Sequence, residues 1–190
     1  MELDLSKYNR TNDWFVYSEI RNNLLKYISA NDIHKILEIG SFEGISSCCF
    51  SDNLLNHPDS FLVCVDPFCL DDTTTILVSE TEKIFNDNML KSKHFDKCII
   101  HKTYSNNFFK DNEKTFNLIY IDGSHDPDDI KLDMEESFKC LEKGGIMWMD
   151  DYLGGGSEKL IKKTMDEFLE KHIDKYELIH KGYQLAIRKL

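Results

Sequence analysis

The chain has 190 residues and a net charge of −11, with 41% hydrophobic and 12% aromatic residues, a composition that suits one globular domain. The acidic balance disfavours a nucleic-acid partner, because affinity for nucleic acids rests mainly on neutralising their phosphates. No apolar run approaches the ~20 residues that span a bilayer, and no signal peptide is recognisable, so we expect a cytoplasmic protein without membrane contact.

The cysteines indicate a reducing compartment. Six are present and none forms a Cys-x-x-Cys pair, so the sequence shows neither a zinc site nor a thioredoxin-like motif. Most of them lie inside apolar runs, where a free cysteine acts as a small hydrophobic residue.

The N-terminal segment begins with a polar arm, residues 1–12. Aromatic and aliphatic residues then recur at roughly helical spacing from Trp14 to Ile28, which predicts an amphipathic helix packed on the domain. The alternative is that Trp14 and Tyr17 line a ligand pocket.

The strongest signal lies in residues 35–44. An apolar run from Ile36 to Ile39 predicts a buried strand, which ends in a glycine-containing turn before a helix over residues 45–55. This is the first unit of a doubly wound sheet, in which a nucleotide-like ligand lies beyond the strand end. A dinucleotide fingerprint would place glycines at Phe42 and Ile45, and they are absent. Glu38 is poorly placed for a pyrophosphate but suits a ligand with an ammonium group.

The second strand supplies a further ligand-binding candidate. Residues 61–65 form an apolar run that ends at Asp66, 26 positions after Gly40. An acidic residue there can accept hydrogen bonds from both ribose hydroxyls, although a solvated turn carboxylate is the alternative. Phe68 is a candidate for packing on an adenine.

Residues 69–95 are longer than a usual connection. The run Ser79 to Glu82 fits a capping box at the start of a helix, and Cys69 to Val78 before it predicts irregular chain. We expect either a lid at the ligand end of the sheet or a loose surface loop. A third strand over residues 97–101 follows.

Acidic residues follow the fourth and fifth predicted strands. Residues 116–121 end in Asp122, and residues 146–149 run into Asp150 and Asp151. Because parallel neighbours lie ~4.8 Å apart, carboxylates at their ends converge. Such an all-oxygen set suits Mg²⁺; the alternative is that these residues bind only water or cap the next segment. Between the two strands, Asp126 and Pro127 predict a helix start, and Gly144-Gly145 its end.

The C-terminal part predicts one more helix and a hairpin. Ser157, after a glycine hinge at 154–156, predicts the helix cap, and the helix presents an apolar face. Two short strand-like runs flank Lys181-Gly182. The apolar face consists of Leu160, Ile161, Met165, Phe168 and Leu169.

Residues 38–46 resemble the first motif of class I S-adenosylmethionine (SAM)-dependent methyltransferases. Residues 120–125, 141–145 and 150–152 extend the resemblance to the metal-dependent small-molecule O-methyltransferases, chiefly the branch of the cephalosporin-biosynthesis and macrolide-sugar enzymes; the catechol type is more distant. It covers about residues 36–189. It implies a single α/β domain over residues 1–190: a doubly wound, Rossmann-like sheet of seven mostly parallel strands, with a C-terminal antiparallel hairpin and helices on both faces.

The resemblance also implies the site residues. His125, three residues after Asp122, would be the base, and these two are the catalytic candidates. The metal candidates are Asp122, Asp150 and Asp151. Many relatives carry an acidic residue where this chain has Tyr104, so the adenine contact differs. The SAM-binding candidates are Glu38, Gly40, Ser41, Phe42, Glu43, Gly44, Ser46, Asp66, Phe68, Tyr104, Ser105 and Asp122.

The implied reaction is SN2 transfer of a methyl group from SAM to a hydroxyl, with Mg²⁺ lowering the hydroxyl pKa and His125 taking the proton. We expect a small polyhydroxylated substrate such as a sugar, nucleotide-sugar or glycan. Alternatives are a catechol-like acceptor and a non-catalytic SAM-binding partner subunit. His125 as a backbone-bonded histidine at a helix start also stays open, as does homo-oligomer formation.

Overall fold

The computed structural model describes residues 1–68, 75–154 and 158–190, and within them seven strands form one sheet in the order β3-β2-β1-β4-β5-β7-β6. β1, β2, β3, β4 and β5 are parallel, and β7 pairs antiparallel with both β5 and β6. The mostly parallel sheet with its C-terminal hairpin is therefore confirmed. The strands are β1 Lys35–Ile39, β2 Phe61–Val65, β3 Cys98–His101, β4 Phe116–Ile121, β5 Leu141–Met149, β6 Tyr176–Lys181 and β7 Leu185–Lys189.

Helices cover both faces of this sheet. The N-terminal segment, α2 and α3 contribute to one apolar core, and α4, α5 and α6 contribute to the other. The central strands are buried on both faces, which explains their continuous apolar runs. The helices are α1 Glu19–Asn23, α2 Ile45–Leu54, α3 Thr75–Met89, α4 Ser105–Asp111, α5 Pro127–Cys140 and α6 Glu158–Lys171, with 3₁₀ turns at Phe15–Tyr17, Leu24–Lys26 and Phe95–Lys97. No helix in the described ranges is long and apolar enough to cross a membrane.

The prediction of one amphipathic helix from Trp14 to Ile28 is wrong. A 3₁₀ turn at Phe15–Tyr17 precedes the short α1, and Ser18 between them has an extended backbone. Leu24 is buried, but Trp14 and Tyr17 are 75% and 78% exposed. The aromatic residues that supported the helical period therefore do not all face the core.

Two predicted boundaries and one predicted core residue also differ from the structure. α3 already begins at Thr75, so the helix does not start at the Ser79–Glu82 capping box and the chain from Thr75 is not irregular. β5 contains Gly144-Gly145, because α5 ends at Cys140. Leu160 is 55% exposed and does not belong to the apolar face of α6.

Some predicted features fall outside the described residues. These are the predicted cap at Ser157, most of the glycine hinge and the first part of the predicted lid, residues 69–74. The lid itself stays a prediction.

The N-terminal arm is docked along α2 and α3. The Tyr8 hydroxyl donates to Asp52 Oδ2 at 2.6 Å. The backbone of Asn9 exchanges two hydrogen bonds with the Asn88 side chain, at 2.8 and 2.7 Å. Polar residues thus bind the arm to the domain through specific side-chain contacts.

Gly40 directly follows β1 and lies in the left-handed region, with φ +83°, and a Cβ there would overlap the backbone carbonyl of Asp122. Close approach between the ends of β1 and β4 thus requires this glycine. Gly144 has a similar φ of +81°, but a Cβ there would meet no atom within 4 Å.

We predict that Gly40→Ala destabilises the fold far more than Gly144→Ala. Gly144→Ala adds only left-handed backbone strain, about 1 kcal/mol, whereas Gly40→Ala adds the overlap with Asp122 and should cost at least about 3 kcal/mol. Thermal unfolding monitored by circular dichroism measures both variants. Equal losses in the two would contradict the packing described at the end of β1.

Candidate active site

Glu38 is a fully buried carboxyl group on β1. Its Oε2 accepts hydrogen bonds from the hydroxyls of Ser41, at 2.8 Å, and Ser47. Its Oε1 has no hydrogen-bond partner among the described residues. Burial raises the pKa of Glu38, and the hydroxyls of Ser46, Ser47 and Ser41 partly oppose the rise. A bound positive charge would satisfy the free oxygen and favour ionisation.

Asp66 organises the turn after β1. Its Oδ2 accepts the backbone N–H groups of Ser41 and Phe42, both at 2.8 Å, and its Oδ1 accepts that of Phe68 at 2.6 Å. Asp66, the carboxylate predicted to bind the ribose, thus fixes the backbone both after β1 and after β2. Carboxylate oxygens hold about four lone-pair sites in total, and three are used here, so about one remains for a ribose hydroxyl.

Backbone strain is concentrated at this edge of the sheet. In the described chain, the non-glycine residues with positive φ are Phe42, Phe68 and Asp151, at 47°, 50° and 60°. They closely follow β1, β2 and β5. Strained backbone of this kind clusters at ligand and active sites.

Several residues that were predicted to contact SAM have other partners in the structure. Glu43 accepts the backbone N–H and hydroxyl of Thr11, at 2.8 and 2.7 Å, so it secures the arm. The Phe68 ring packs against Phe85, with ring centroids 4.8 Å apart. Gly44 also faces Phe85, whose ring would lie 2.8 Å from a Cβ at that position. These residues support the predicted cofactor-binding turn, residues 40–44, through contacts with the rest of the domain.

Asp122 and Asp150 converge on a single hydroxyl. Tyr120 Oη lies 2.9 Å from Asp122 Oδ2 and 2.7 Å from Asp150 Oδ2. One hydroxyl has one proton to donate, so the second carboxyl must carry its own proton or face a cation. Burial raises the pKa of both Asp122 and Asp150, and Asp150 raises that of Asp122 further.

Gln184 extends this hydrogen-bond network from Asp150 to the core. Its Nε2 donates to Asp150 Oδ2 at 2.8 Å, while its Oε1 accepts the Trp148 indole N–H at 2.8 Å. The backbone N–H of Ile20 donates to the same Oε1 at 2.6 Å. These bonds fix which end of the amide faces Asp150. Sequence reasoning missed both Gln184 and Tyr120.

Asp151 turns toward His125 rather than toward the other two carboxyls. Its Oδ2 lies 2.9 Å from His125 Nε2, and its Oδ1 accepts the Tyr183 hydroxyl at 2.6 Å. All three aspartates and His125 nevertheless line one small cavity, with Ile121 and Ser124. Among residues 1–68, 75–154 and 158–190, no three His, Cys, Asp or Glu side chains are arranged to hold a metal ion.

Comparison with known families decides the identity of the fold. Residues 37–152 match the model of a methyltransferase domain, and this range covers more than half of the chain, from β1 to the end of the acidic cluster. The chain belongs to this methyltransferase family. With the sheet order, this makes it a class I SAM-dependent methyltransferase. No curated protein matches the chain significantly.

Solved structures share the fold of this methyltransferase at low sequence identity. A candidate rRNA methylase from Clostridium thermocellum is 13% identical, with a TM-score of 0.70 over 96% of this chain and 100% of its own. The O-methyltransferase TomG from Streptomyces achromogenes, in complex with SAM, is 16% identical, with a TM-score of 0.66 over 91% and 80%. An O-methyltransferase from Bacillus cereus, in complex with SAH, is 15% identical, with a TM-score of 0.63 over 88% and 78%.

We predict that Asp122→Asn stabilises the ligand-free methyltransferase, and more so as the pH rises. A carboxyl whose pKa is raised by folding binds its proton more tightly in the folded state. The protonated Asp122 carboxyl therefore makes its full contribution to folding stability below the ordinary pKa of 3.8. That contribution is lost as the pH rises through the raised pKa of the folded state. The asparagine has no such loss.

Urea unfolding of both proteins between pH 5 and pH 8 measures this difference. The exposed Asp174→Asn variant serves as the control, with no pH-dependent gain expected. A difference in unfolding free energy between Asp122→Asn and the native chain that stays constant with pH would contradict a raised pKa of Asp122 in the folded state.

Proposed function

We propose that this methyltransferase transfers the methyl group of SAM to a hydroxyl of a small polyhydroxylated molecule. The observation that carries the proposal is the Asp122–Asp150–Tyr120 cluster, which stands beside the His125–Asp151 pair at the carboxyl end of β4 and β5. The resemblance to sugar-modifying O-methyltransferases supports an acceptor such as a sugar, nucleotide-sugar or glycan.

The donor side is built by β1 and β2. The free oxygen of Glu38 suits the ammonium group of SAM, and the remaining acceptor site of Asp66 suits a ribose hydroxyl. The turn between them, from Gly40 to Gly44, passes close to the bound donor. These residues would hold the donor with its methyl group available to an acceptor at the acidic cluster, and such positioning supplies much of the rate.

The acceptor side is built around His125. Its Nε2 faces Asp151, so the N–H on that nitrogen donates to the carboxylate and Nδ1 keeps the free lone pair. Nδ1 takes the hydroxyl proton while the oxygen attacks the methyl carbon. The C–S bond breaks, its electron pair stays on sulfur, and S-adenosylhomocysteine results. Asp151 stabilises the imidazolium that forms.

Mg²⁺ fits the residues of the cluster. Asp122 and Asp150 are half-buried carboxyls whose described partners include no basic side chain, and burial raises the pKa of both. Oxygen-only donors suit a hard divalent ion. Asp122 and Asp150, which converge on Tyr120, would hold it, while Asp151 faces His125 and Tyr183. It would supply Lewis-acid activation of the acceptor hydroxyl.

The net charge of −11 argues against RNA as the acceptor, although one structural relative is a candidate rRNA methylase. A catechol-like acceptor is the second small-molecule candidate. A non-catalytic partner subunit would have no need for the His125–Asp151 pair.

A turnover screen tests the function. Purified protein is incubated with methyl-labelled SAM and panels of sugars, nucleotide-sugars, glycans, catechols and RNA. We expect labelled product from a hydroxylated small molecule, loss of most turnover with EDTA, and recovery with added Mg²⁺. SAM binding without any turnover would instead support the partner-subunit alternative, and turnover that EDTA leaves intact would remove the metal from the account.

His125→Ala tests the base in the same assay. We expect turnover to fall by about 10²–10⁴-fold, the usual contribution of a positioned general base, with SAM affinity retained. His57→Ala, a substitution of a histidine outside the site, is the matched control and should behave like the native enzyme. Native turnover in His125→Ala would eliminate this residue as the base.

A further inference from the structure

The loop that joins β6 to β7, residues 182–184, reaches the acidic edge with two consecutive side chains. Gln184 Nε2 donates to Asp150 Oδ2 at 2.8 Å, and the Tyr183 hydroxyl donates to Asp151 Oδ1 at 2.6 Å. Two neighbouring residues of the loop therefore each bind one of two neighbouring aspartates. The proposed reaction assigns no task to Tyr183, which is 47% exposed.

Hydrogen bonds fix the backbone of this loop at several points. The N–H of Gly182 donates to the Gln184 carbonyl at 2.8 Å, and the N–H of Gln184 donates to Glu19 Oε2 at 2.7 Å. The N–H of Leu153 donates to the Tyr183 carbonyl at 3.0 Å. A Cβ at Gly182 would overlap the Glu19 carboxylate, so the loop packs closely against α1. Tyr183 thus extends from backbone that is held independently of its hydroxyl.

Asp151 stands between Tyr183 and His125 in a strained backbone conformation. Its φ of +60° costs a non-glycine residue about 1 kcal/mol or more, and such strain persists only where the surroundings fix it. Its two carboxylate oxygens have separate partners: Oδ1 accepts the Tyr183 hydroxyl, and Oδ2 lies 2.9 Å from His125 Nε2. A carboxylate only accepts hydrogen bonds, so both partners donate to it.

The acidic cluster offers Asp151 a competing position. This residue also lines the small cavity of Asp122 and Asp150, and the sequence resemblance implies it as a metal ligand there. Its carboxylate would be attracted toward a cation held in that cluster and away from His125. Tyr183 opposes this movement, because its hydroxyl occupies Oδ1 and fixes the orientation of the carboxylate.

We propose that Tyr183 is a positioning residue for the base of the reaction, whose hydroxyl holds Asp151 on His125. The inference rests on the proposed function, in which His125 takes the acceptor proton. With Nε2 donating to a fixed carboxylate, Nδ1 keeps its lone pair for the acceptor hydroxyl. The loop thereby gives the two consecutive aspartates different tasks, since Gln184 keeps Asp150 in the acidic cluster while Tyr183 keeps its neighbour beside the base.

NMR of the imidazole nitrogens in the ¹⁵N-labelled, ligand-free full chain tests the proposal. At a pH where imidazole is neutral, the nitrogen shifts of His125 give the ratio of its Nε2–H to its Nδ1–H tautomer. In Tyr183→Phe the ring stays and the hydroxyl is lost, so Asp151 is released from one of its two partners. We expect the tautomer ratio to fall about threefold or more, as for the loss of one modest hydrogen bond.

Further variants locate the effect. Asp151→Ala should lower the ratio as well, and Tyr183→Phe added to it should lower the ratio no further, because Tyr183 acts through Asp151. Tyr176→Phe, at the other end of the same hairpin, is the matched control and should keep the native ratio. The Leu153 N–H reports on the loop backbone, and its hydrogen exchange in Tyr183→Phe should stay as slow as in the native chain.

Turnover links the geometry to the reaction. With the acceptor that the turnover screen returns, Tyr183→Phe should lose about tenfold in kcat, a fraction of what a general base supplies, with the KM for SAM unchanged. A native kcat would overturn the proposal, and so would a native tautomer ratio in this variant.

A structural role for Tyr183 would give a different pattern. Rapid exchange of the Leu153 N–H in Tyr183→Phe, or failure of this variant to fold, would mark the residue as part of the loop packing and would overturn the proposal as well. These outcomes leave methyl transfer by the native chain untouched. Absence of any transfer in the screen would instead contradict the proposed function, and with it the base that Tyr183 serves.

Discussion

Three carboxyl groups lie at one edge of the sheet, one of them buried and two half-buried, and no basic side chain is among their described partners. Glu38, Asp122 and Asp150 are held instead by hydroxyls, an amide and one backbone N–H group. Burying carboxyls without a counter-charge is unfavourable, and their pKa values rise accordingly. The arrangement is suited to positive ligands: SAM carries an ammonium and a sulfonium group, and Mg²⁺ carries two charges.

The fold maintains this edge by fixing each carboxyl from a different direction. Parallel pairing sets Glu38 of β1 beside Tyr120 of β4, and the Tyr120 hydroxyl extends to both Asp122 and Asp150. Gln184 connects the same cluster to Trp148 in the core and to the N-terminal segment at Ile20. The acidic site is thus coupled to parts of the chain that lie far apart in sequence.

Local patterns predicted the ends of the central strands well, because β1, β2 and β4 are buried on both faces and read as apolar runs. Glu38, Asp66 and Asp122 could be found for the same reason, since each stands at or next to the end of such a run. Tyr120 was within reach, because it lies two residues before Asp122 on the same side of the strand. The role of Gln184 was not, because it depends on how the C-terminal hairpin pairs with β5. The prediction of a single helix in the N-terminal segment was wrong because Trp14 and Tyr17 fit a helical spacing although both are exposed.

Calorimetric titration with SAM, in buffers of different ionisation enthalpy near neutral pH, tests the central claim most directly. A positive ligand that enters beside carboxyls of raised pKa lowers those values and displaces protons. We expect net proton release on SAM binding, with further release when Mg²⁺ is added. Binding that exchanges no protons, or that takes protons up, would contradict the claim that this edge of the sheet receives positive charge.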